Sequence, residues 1–387
     1  MKSSKLFALL FAAFLVLFLA ACGSGNEEST SGSTDEADTE STETEESDAS
    51  AEGSASLEGL PEAFQQEPLK IMVVRKIGGD DHTAQYLAGA QQEATALGME
   101  VETFSANGDT AKFHDTIQQA IDQKYDGLVI SHGDDAATAD LVQAARDAGI
   151  EVVTFDSIAD LKEIEGVTLT SQDDEALATL VLDKLVEEHE AEANIGYLWV
   201  DGFPPMVRRN NIYTQVTEEN PGIEELERFG VATDNTTVDT QNAVAAWLNK
   251  YPEGEMDAIF ATWDAFATGA TRALMEAGRE EIDIYGIDVS NADLQLMQEE
   301  GSPWKYTAAV DPTLIGAVNV RLLAKKLAGE ETPQEYSLEA TLISQEELNA
   351  SGEEVNMQTL ANVIEGWGES DAFLEDWMVT LKENNAN

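Results

Sequence analysis

Two aspartates each stand directly after a short apolar run: Asp156 after Val152-Val153-Thr154-Phe155, and Asp288 after Ile284-Tyr285-Gly286-Ile287. Trp263-Asp264 occupies a similar place, just past Asp257-Ala258-Ile259-Phe260-Ala261. Arg208-Arg209 opens a stretch of helical pattern behind Asp201-Gly202-Phe203-Pro204-Pro205. Planar carboxylate, amide and guanidinium groups hold hydroxyls through bidentate, charge-assisted bonds, roughly twice as strong as neutral ones. An aromatic face covers the apolar C–H side of a small ring, and a few convergent polar groups in an apolar setting make a small-molecule site. A buried arginine opposite Asp156 and Asp288 would also offset their charge.

Other chemistries lack their residues. The four histidines, His82, His114, His132 and His189, show no His-x-His or His-x-x-x-His spacing, and Cys22 is the sole cysteine. A zinc or copper site is therefore not expected. The run from Asp288 to Asp293 has neither the glycine nor the terminal glutamate of a calcium loop. Phosphate-cradling glycine motifs and Gly-x-Ser-x-Gly are absent from the sequence. We expect no cofactor, no metal and no catalytic residue, hence no enzyme. The formal charge of −54 disfavours nucleic acid, anionic ligands and acidic lipid headgroups.

The elements that must carry these residues alternate. Leu69 to Val74 reads as a buried parallel strand, and Thr83 to Leu97 as a helix stopped by Gly98. Strands at 99–104, 126–130 and 150–155 then alternate with helices at 109–123 and 136–148. The pattern restarts with helices at 177–190, 207–220, 238–250 and 266–277, and strands at 194–200, 226–231, 257–261 and 282–287. About 320 residues in such an order exceed one core. The fold class is α/β, with two doubly wound Rossmann-like lobes and a ligand cleft at the carboxyl ends of the strands. A hinge would let the lobes close.

The N-terminus reads as an export signal: Lys2 and Lys5, an uncharged apolar run from Leu6 to Ala20, then Leu19-Ala20-Ala21-Cys22. That quartet resembles the bacterial lipobox, in which the cysteine receives a diacylglycerol group. Residues 1–21 are the expected signal peptide and Cys22 the lipidation site. Residues 22–67 hold 14 acidic residues and no Lys or Arg, the composition of a disordered tether.

From Pro68 to about Leu348 the order of segments resembles the type I periplasmic binding proteins of the ribose-binding kind. The resemblance is carried by Tyr125-Asp126-Gly127-Leu128-Val129-Ile130-Ser131, Ala148-Gly149-Ile150-Glu151-Val152-Val153-Thr154-Phe155-Asp156 and Met256-Asp257-Ala258-Ile259-Phe260-Ala261. Ile284-Tyr285-Gly286-Ile287-Asp288 and Ala308-Ala309-Val310-Asp311-Pro312-Thr313-Leu314-Ile315-Gly316 extend it. It implies lobes at 68–168 plus 311–336 and at 169–310 plus 337–348, with a three-segment hinge crossing near Thr168, Val310 and Tyr336. Residues 349–387 fall outside that pattern; Leu360 to Leu381, with Trp367, Phe373, Leu374, Trp377 and Met378, reads as added helices packed on one lobe, because three large aromatic side chains call for burial.

The resemblance also implies ligand contacts: hydroxyl binding by Asp156, Asp288 and one of Arg208 and Arg209, and a polar contact from Asp264. Trp263 stands where the family has asparagine, which points to stacking, and Asn235 near where the family often has an aromatic, as if the two exchanged roles. Lys76, Asp80, Asp81 and His82 lie on the loop after the first strand, with Gln172 and Asp311 at crossovers. Ser157 follows Asp156 where the family usually has arginine, as in autoinducer-2 and deoxy-sugar binders, which leaves the ligand class open. The expectation is a monomeric lipoprotein on the outer side of the cell membrane, touching the membrane through its lipid alone. It would deliver a small neutral sugar or polyol to the permease of an ABC transporter. The alternative is a surface receptor for a sugar-like signal, acting through a sensor or chemotaxis partner. A repressor role is excluded by the export signal and the missing helix-turn-helix.

Overall fold

The structure, a computed structural model, describes residues 59–233 and 235–386. The signal peptide, Cys22 and most of the acidic tether lie outside the described residues.

The first lobe begins with β1 (Lys70–Arg75), α1 (Asp81–Ala96), β2 (Glu100–Ser105), α2 (Thr110–Asp122), β3 (Gly127–Ser131), α3 (Ala136–Asp147), β4 (Glu151–Phe155) and β5 (Val167–Gln172). The second comprises α4 (Asp174–Glu188), β6 (Glu192–Leu198), α5 (Pro204–Glu219), β7 (Gly222–Phe229), α6 (Thr236–Lys250), β8 (Ala258–Ala261), α7 (Asp264–Ala277), β9 (Asp283–Ile287), α8 (Asn291–Met297) and β10 (Trp304–Ala309). The chain returns to the first lobe through α9 (Pro312–Leu327) and β11 (Glu335–Leu338), crosses back as β12 (Thr341–Ser344) and α10 (Gln345–Ala350), and ends with α11 (Asp376–Asn385).

One sheet has the order β11-β5-β4-β3-β1-β2 and is parallel throughout. The other has the order β12-β10-β9-β8-β6-β7, parallel except for β12 against β10. Helices cover both faces, so central strands such as β3 (Gly-Leu-Val-Ile-Ser) and β8 (Ala-Ile-Phe-Ala) are buried at every position. The acidic composition is put to use at helix starts. Asp80, Asp109, Asp135, Asp173 and Asp311 each accept a backbone N–H of the first helical turn. Helices α1 and α9 pack backbone to backbone: a Cβ on Gly316 would come within 2.3 Å of the Tyr86 carbonyl.

Three boundaries differ from the sequence expectation. β11 pairs with β5 from Glu335↔Leu169 to Leu338↔Gln172, so residues 169–172 and 337–338 belong to the first sheet. Two paired strands leave a sheet at the same level, and the crossings fall after Gln172 and Leu338 rather than at Thr168 and Tyr336. The tether ends earlier than residue 67: Leu60 is buried in the first lobe and Phe64 packs on Trp377 at 4.8 Å, since large apolar side chains gain by leaving water. The C-terminal segment joins both lobes instead of one. Val355, Leu360, Ile364 and Trp367 complete the second-lobe core, while Met378 and Leu381, with Phe373 and Trp377, pack into the first.

Candidate functional site

The carboxyl ends of the two sheets face each other across a cavity lined from both lobes and partly continuous with solvent. Three of its walls are built in the same way. His132, Asp156 and Asp288 directly follow β3, β4 and β9, and each has left-handed backbone, with φ of 64°, 47° and 74°. Their N–H groups still donate to the neighbouring strand, to the carbonyls of Phe155, Thr170 and Ala308, each at 2.9 Å. The chain thus makes one last sheet bond and then turns sharply, with the side chain lining the cavity. Non-glycine residues tolerate this region rarely, aspartate and histidine more than most, and such strain of order 1–3 kcal/mol gathers at functional sites.

Arg209 organises the second-lobe side. Fully buried, it donates to both oxygens of Asp288 at 2.9 and 3.1 Å, to Asp174 at 2.8 Å and to the Thr262 carbonyl at 2.6 Å. Burial opposes the charge on Asp288, but the Arg209 guanidinium prevails and holds that carboxyl below its ordinary pKa. Arg208 bonds Asp174 at 2.8 Å and reaches Asp156 in the other lobe at 3.1 Å. Gln172 donates to Asp288 at 3.3 Å, and the Asn291 backbone N–H donates to Asp81 at 3.0 Å. These contacts join the lobes, so the cleft is closed. Burial, reinforced by Asp174, pushes Asp156 up to about 7 in spite of Arg208 and Arg209.

On the first-lobe side, Arg75 ends β1 and is anchored by the hydroxyls of Thr83 (3.1 Å) and Ser131 (3.3 Å) and by Nδ1 of His82 (3.4 Å). Burial first, then Arg75, pushes the His82 pKa down, and the same causes push His132 further down, so both rings are neutral. With Nδ1 of His82 accepting from Arg75, its Nε2 carries the proton, and that atom has no partner among the described residues. Oε1 of Gln172, whose amide nitrogen is engaged with Asp288, is likewise buried without a partner. The cavity therefore presents one spare donor and one spare acceptor, the complement of a hydroxyl group.

Of the residues singled out in the sequence, Asp80, His82, Asp156, Gln172, Arg209, Trp263 and Asp288 line this cavity. The others are used elsewhere. Lys76 forms an ion pair with Asp134, because consecutive residues leaving a strand point to opposite sides and Arg75 takes the inward place. Asp81 makes the interlobe bond to Asn291 and also accepts from Gln85 at 2.8 Å. Arg208 lines a separate groove beside Ser157 and Asp174. Asp264 lies behind Trp263, where burial and the nearby Asp293 raise its pKa well above the ordinary value. Asn235 is exposed at the start of α6, and Asp311 caps α9 at the hinge.

The lining also includes Arg75, His132, Ile77, Val200, Phe203, Pro205, Met206 and Ala232, which sequence reasoning did not select. His132 stands in the same strand-end place as Asp156 and could have been found by that rule. Among the described residues, no group of three or more His, Cys, Asp or Glu is arranged to hold a metal ion, and no helix is long and apolar enough to cross a membrane.

The periplasmic binding protein domain family matches residues 71–331. A sugar ABC transporter protein from Yersinia enterocolitica subsp. enterocolitica 8081 has a solved structure that superposes with a TM-score of 0.82 at 48% identity, covering 86% of this chain and 100% of that one. The 5-methylthioribose transporter solute-binding protein of Thermotoga lettingae TMO, solved with 5-methylthioribose, gives 0.77 at 32% identity, covering 82% and 100%. The ribose import binding protein of Bacillus subtilis (strain 168) is 25% identical over 261 residues, 66% of this chain and 81% of the relative. These relatives are solute-binding transport proteins and not enzymes. With two wound α/β lobes closed over a cavity at their strand ends, the chain belongs to the periplasmic binding protein domain family, in its type I form.

Proposed function

We propose that this protein is the solute-capturing subunit of an ABC-type sugar importer, anchored outside the cell membrane through Cys22, and that a monosaccharide or polyol is its ligand. The observation that carries the reading is the unfilled hydrogen-bonding set in the cavity: the spare Nε2 of His82 and Oε1 of Gln172 beside Asp156, Asp288 and Arg209. Carboxylate and guanidinium arranged this way suit vicinal hydroxyls. The near balance of Arg75 and Arg209 against Asp80, Asp156 and Asp288 suits an uncharged solute. The relatives from Thermotoga lettingae and Bacillus subtilis are named for polyhydroxylated ligands, in agreement with this reading. Anchoring rests on Leu19-Ala20-Ala21-Cys22 and on the absence of any second cysteine in the sequence. In the proposed cycle the lobes open at the hinge, the solute displaces water, and closure presents a loaded protein to a permease.

A thermal-shift screen over pentoses, hexoses and polyols, followed by calorimetry, tests the ligand class. A binder at 100 times its dissociation constant adds about 2.7 kcal/mol of stability. No shift with any member of the panel, in a protein shown to be folded, would overturn the reading. Anchoring is tested by radiolabelled lipid incorporation, which should be lost in Cys22→Ser.

A further inference from the structure

We propose that the natural solute is not a plain sugar but one bearing an uncharged apolar substituent, seated against Val200, Phe203, Met206 and Trp263. The inference rests on the reading of the cleft as a hydroxyl-binding site and specifies which member of that class it takes.

The cavity is polar along the first lobe and the hinge side of the second, and apolar along the outer half of the second sheet. Its hydrogen-bonding side chains are Gln172 at the end of β5, Asp156 after β4, His132 after β3, and Arg75, Asp80 and His82 from the end of β1 to the start of α1, with Asp288 after β9 from the second lobe. Arg209, on α5, is drawn to the hinge side of the second lobe by Asp288. The outer half of the second sheet contributes Val200 after β6, Ala232 after β7 and Trp263 after β8, with Phe203, Pro205 and Met206 from the start of α5. Apart from the indole N–H of Trp263, this second-lobe wall offers no polar side-chain atom. Ile77, on the loop after β1, faces it from the edge of the first sheet that carries β1 and β2.

The apolar wall is held in place. Pro204 and Pro205 begin α5 and fix its entry. The Trp199 indole N–H donates to the Met206 carbonyl at 2.8 Å, and the Thr262 hydroxyl donates to the Met206 sulfur at 3.4 Å. Trp263 is braced edge-on by Phe266 at 5.6 Å. A rigid apolar wall facing a plain polyol would leave hydroxyls without partners, which penalises such a ligand. The same wall gains about fourfold in affinity for each methylene it buries, at ~0.8 kcal/mol per group.

The test is calorimetry on matched pairs: ribose, xylose and glucose, each against its 1-O-propyl and its terminal O-propyl derivative. One ether series should bind at least 30-fold tighter than its parent sugar. In Met206→Gln, which keeps length, and in Val200→Thr, which keeps shape, the ratio of ether to parent affinity should fall about tenfold. A preference for the parents, or a ratio unchanged in both folded variants, overturns the inference while leaving sugar binding intact. Absence of binding by every parent and every ether sinks the hydroxyl-site reading itself.

Discussion

Replacing Asp288 separates what the cleft needs for stability from what it needs for binding. In the native protein the Arg209 guanidinium, 1% exposed, has two carboxylate partners, and Asp288 supplies two of its bonds, at 2.9 and 3.1 Å. Asp288→Ala leaves Nη2 without an acceptor and the buried cation with Asp174 alone. Breaking a buried pair from one side costs about 3–5 kcal/mol, because the remaining charge stays desolvated. Urea unfolding of the ligand-free variant at pH 7.5 should show a loss on that scale. Affinity for the best solute of the screen should fall by about 1.5–3 kcal/mol for each hydroxyl that Asp288 holds, or roughly 10- to 150-fold. The double variant Asp288→Ala/Arg209→Met removes both charges and should recover part of the stability but none of the binding. If Asp288→Ala unfolds within 1 kcal/mol of wild type and binds within twofold, the carboxylate is neither the anchor of Arg209 nor a ligand contact.

Three further outcomes follow from the same geometry. Burial raises the pKa of Asp156 to about 7, of Asp293 to about 6 and of Asp264 well above the usual range. Groups raised in this way favour the fold when protonated, a contribution complete below the unfolded value near 4 and lost as pH rises through the folded value; the melting temperature should fall between pH 5 and 8, less steeply in Asp264→Asn. Trp263 is the tryptophan that lines the cavity, so the fluorescence change on ligand addition should vanish in Trp263→Ala; persistence of the change would assign it to another tryptophan. Truncation after Gly352 uncovers Val355, Leu360, Ile364 and Trp367 pockets in one lobe and Met378 and Leu381 pockets in the other; at about 1.5–3 kcal/mol per buried side chain, the melting temperature should drop by many degrees.

Much of this was legible in the chain, and the rest failed for identifiable reasons. Strand ends are easy to read because a buried apolar run stops at a polar residue, which is how Asp156 and Asp288 stand out. The choice between Arg208 and Arg209 was not legible: neighbours on a helix point about 100° apart, and only the packing shows that Arg209 is turned inward. The choice of Lys76 over Arg75 failed on the alternation of an extended chain. Met206 and Phe203 escaped notice because an apolar residue at a helix start reads as core, and nothing in its spacing says that one face is open to a cavity. The tail's aromatic residues announced burial without saying which surfaces would receive them.

That tail bears on how far the molecule can gape. Between Trp367, seated in one lobe, and Phe373, seated in the other, the chain passes the hinge through Gly368, with φ of 71°. So short a stretch reaches roughly 20 Å even when pulled straight. The jaws can part only until this leash is taut, after which further opening must peel an anchored end from its seat, so the emptied receptor has a bounded span rather than free swing.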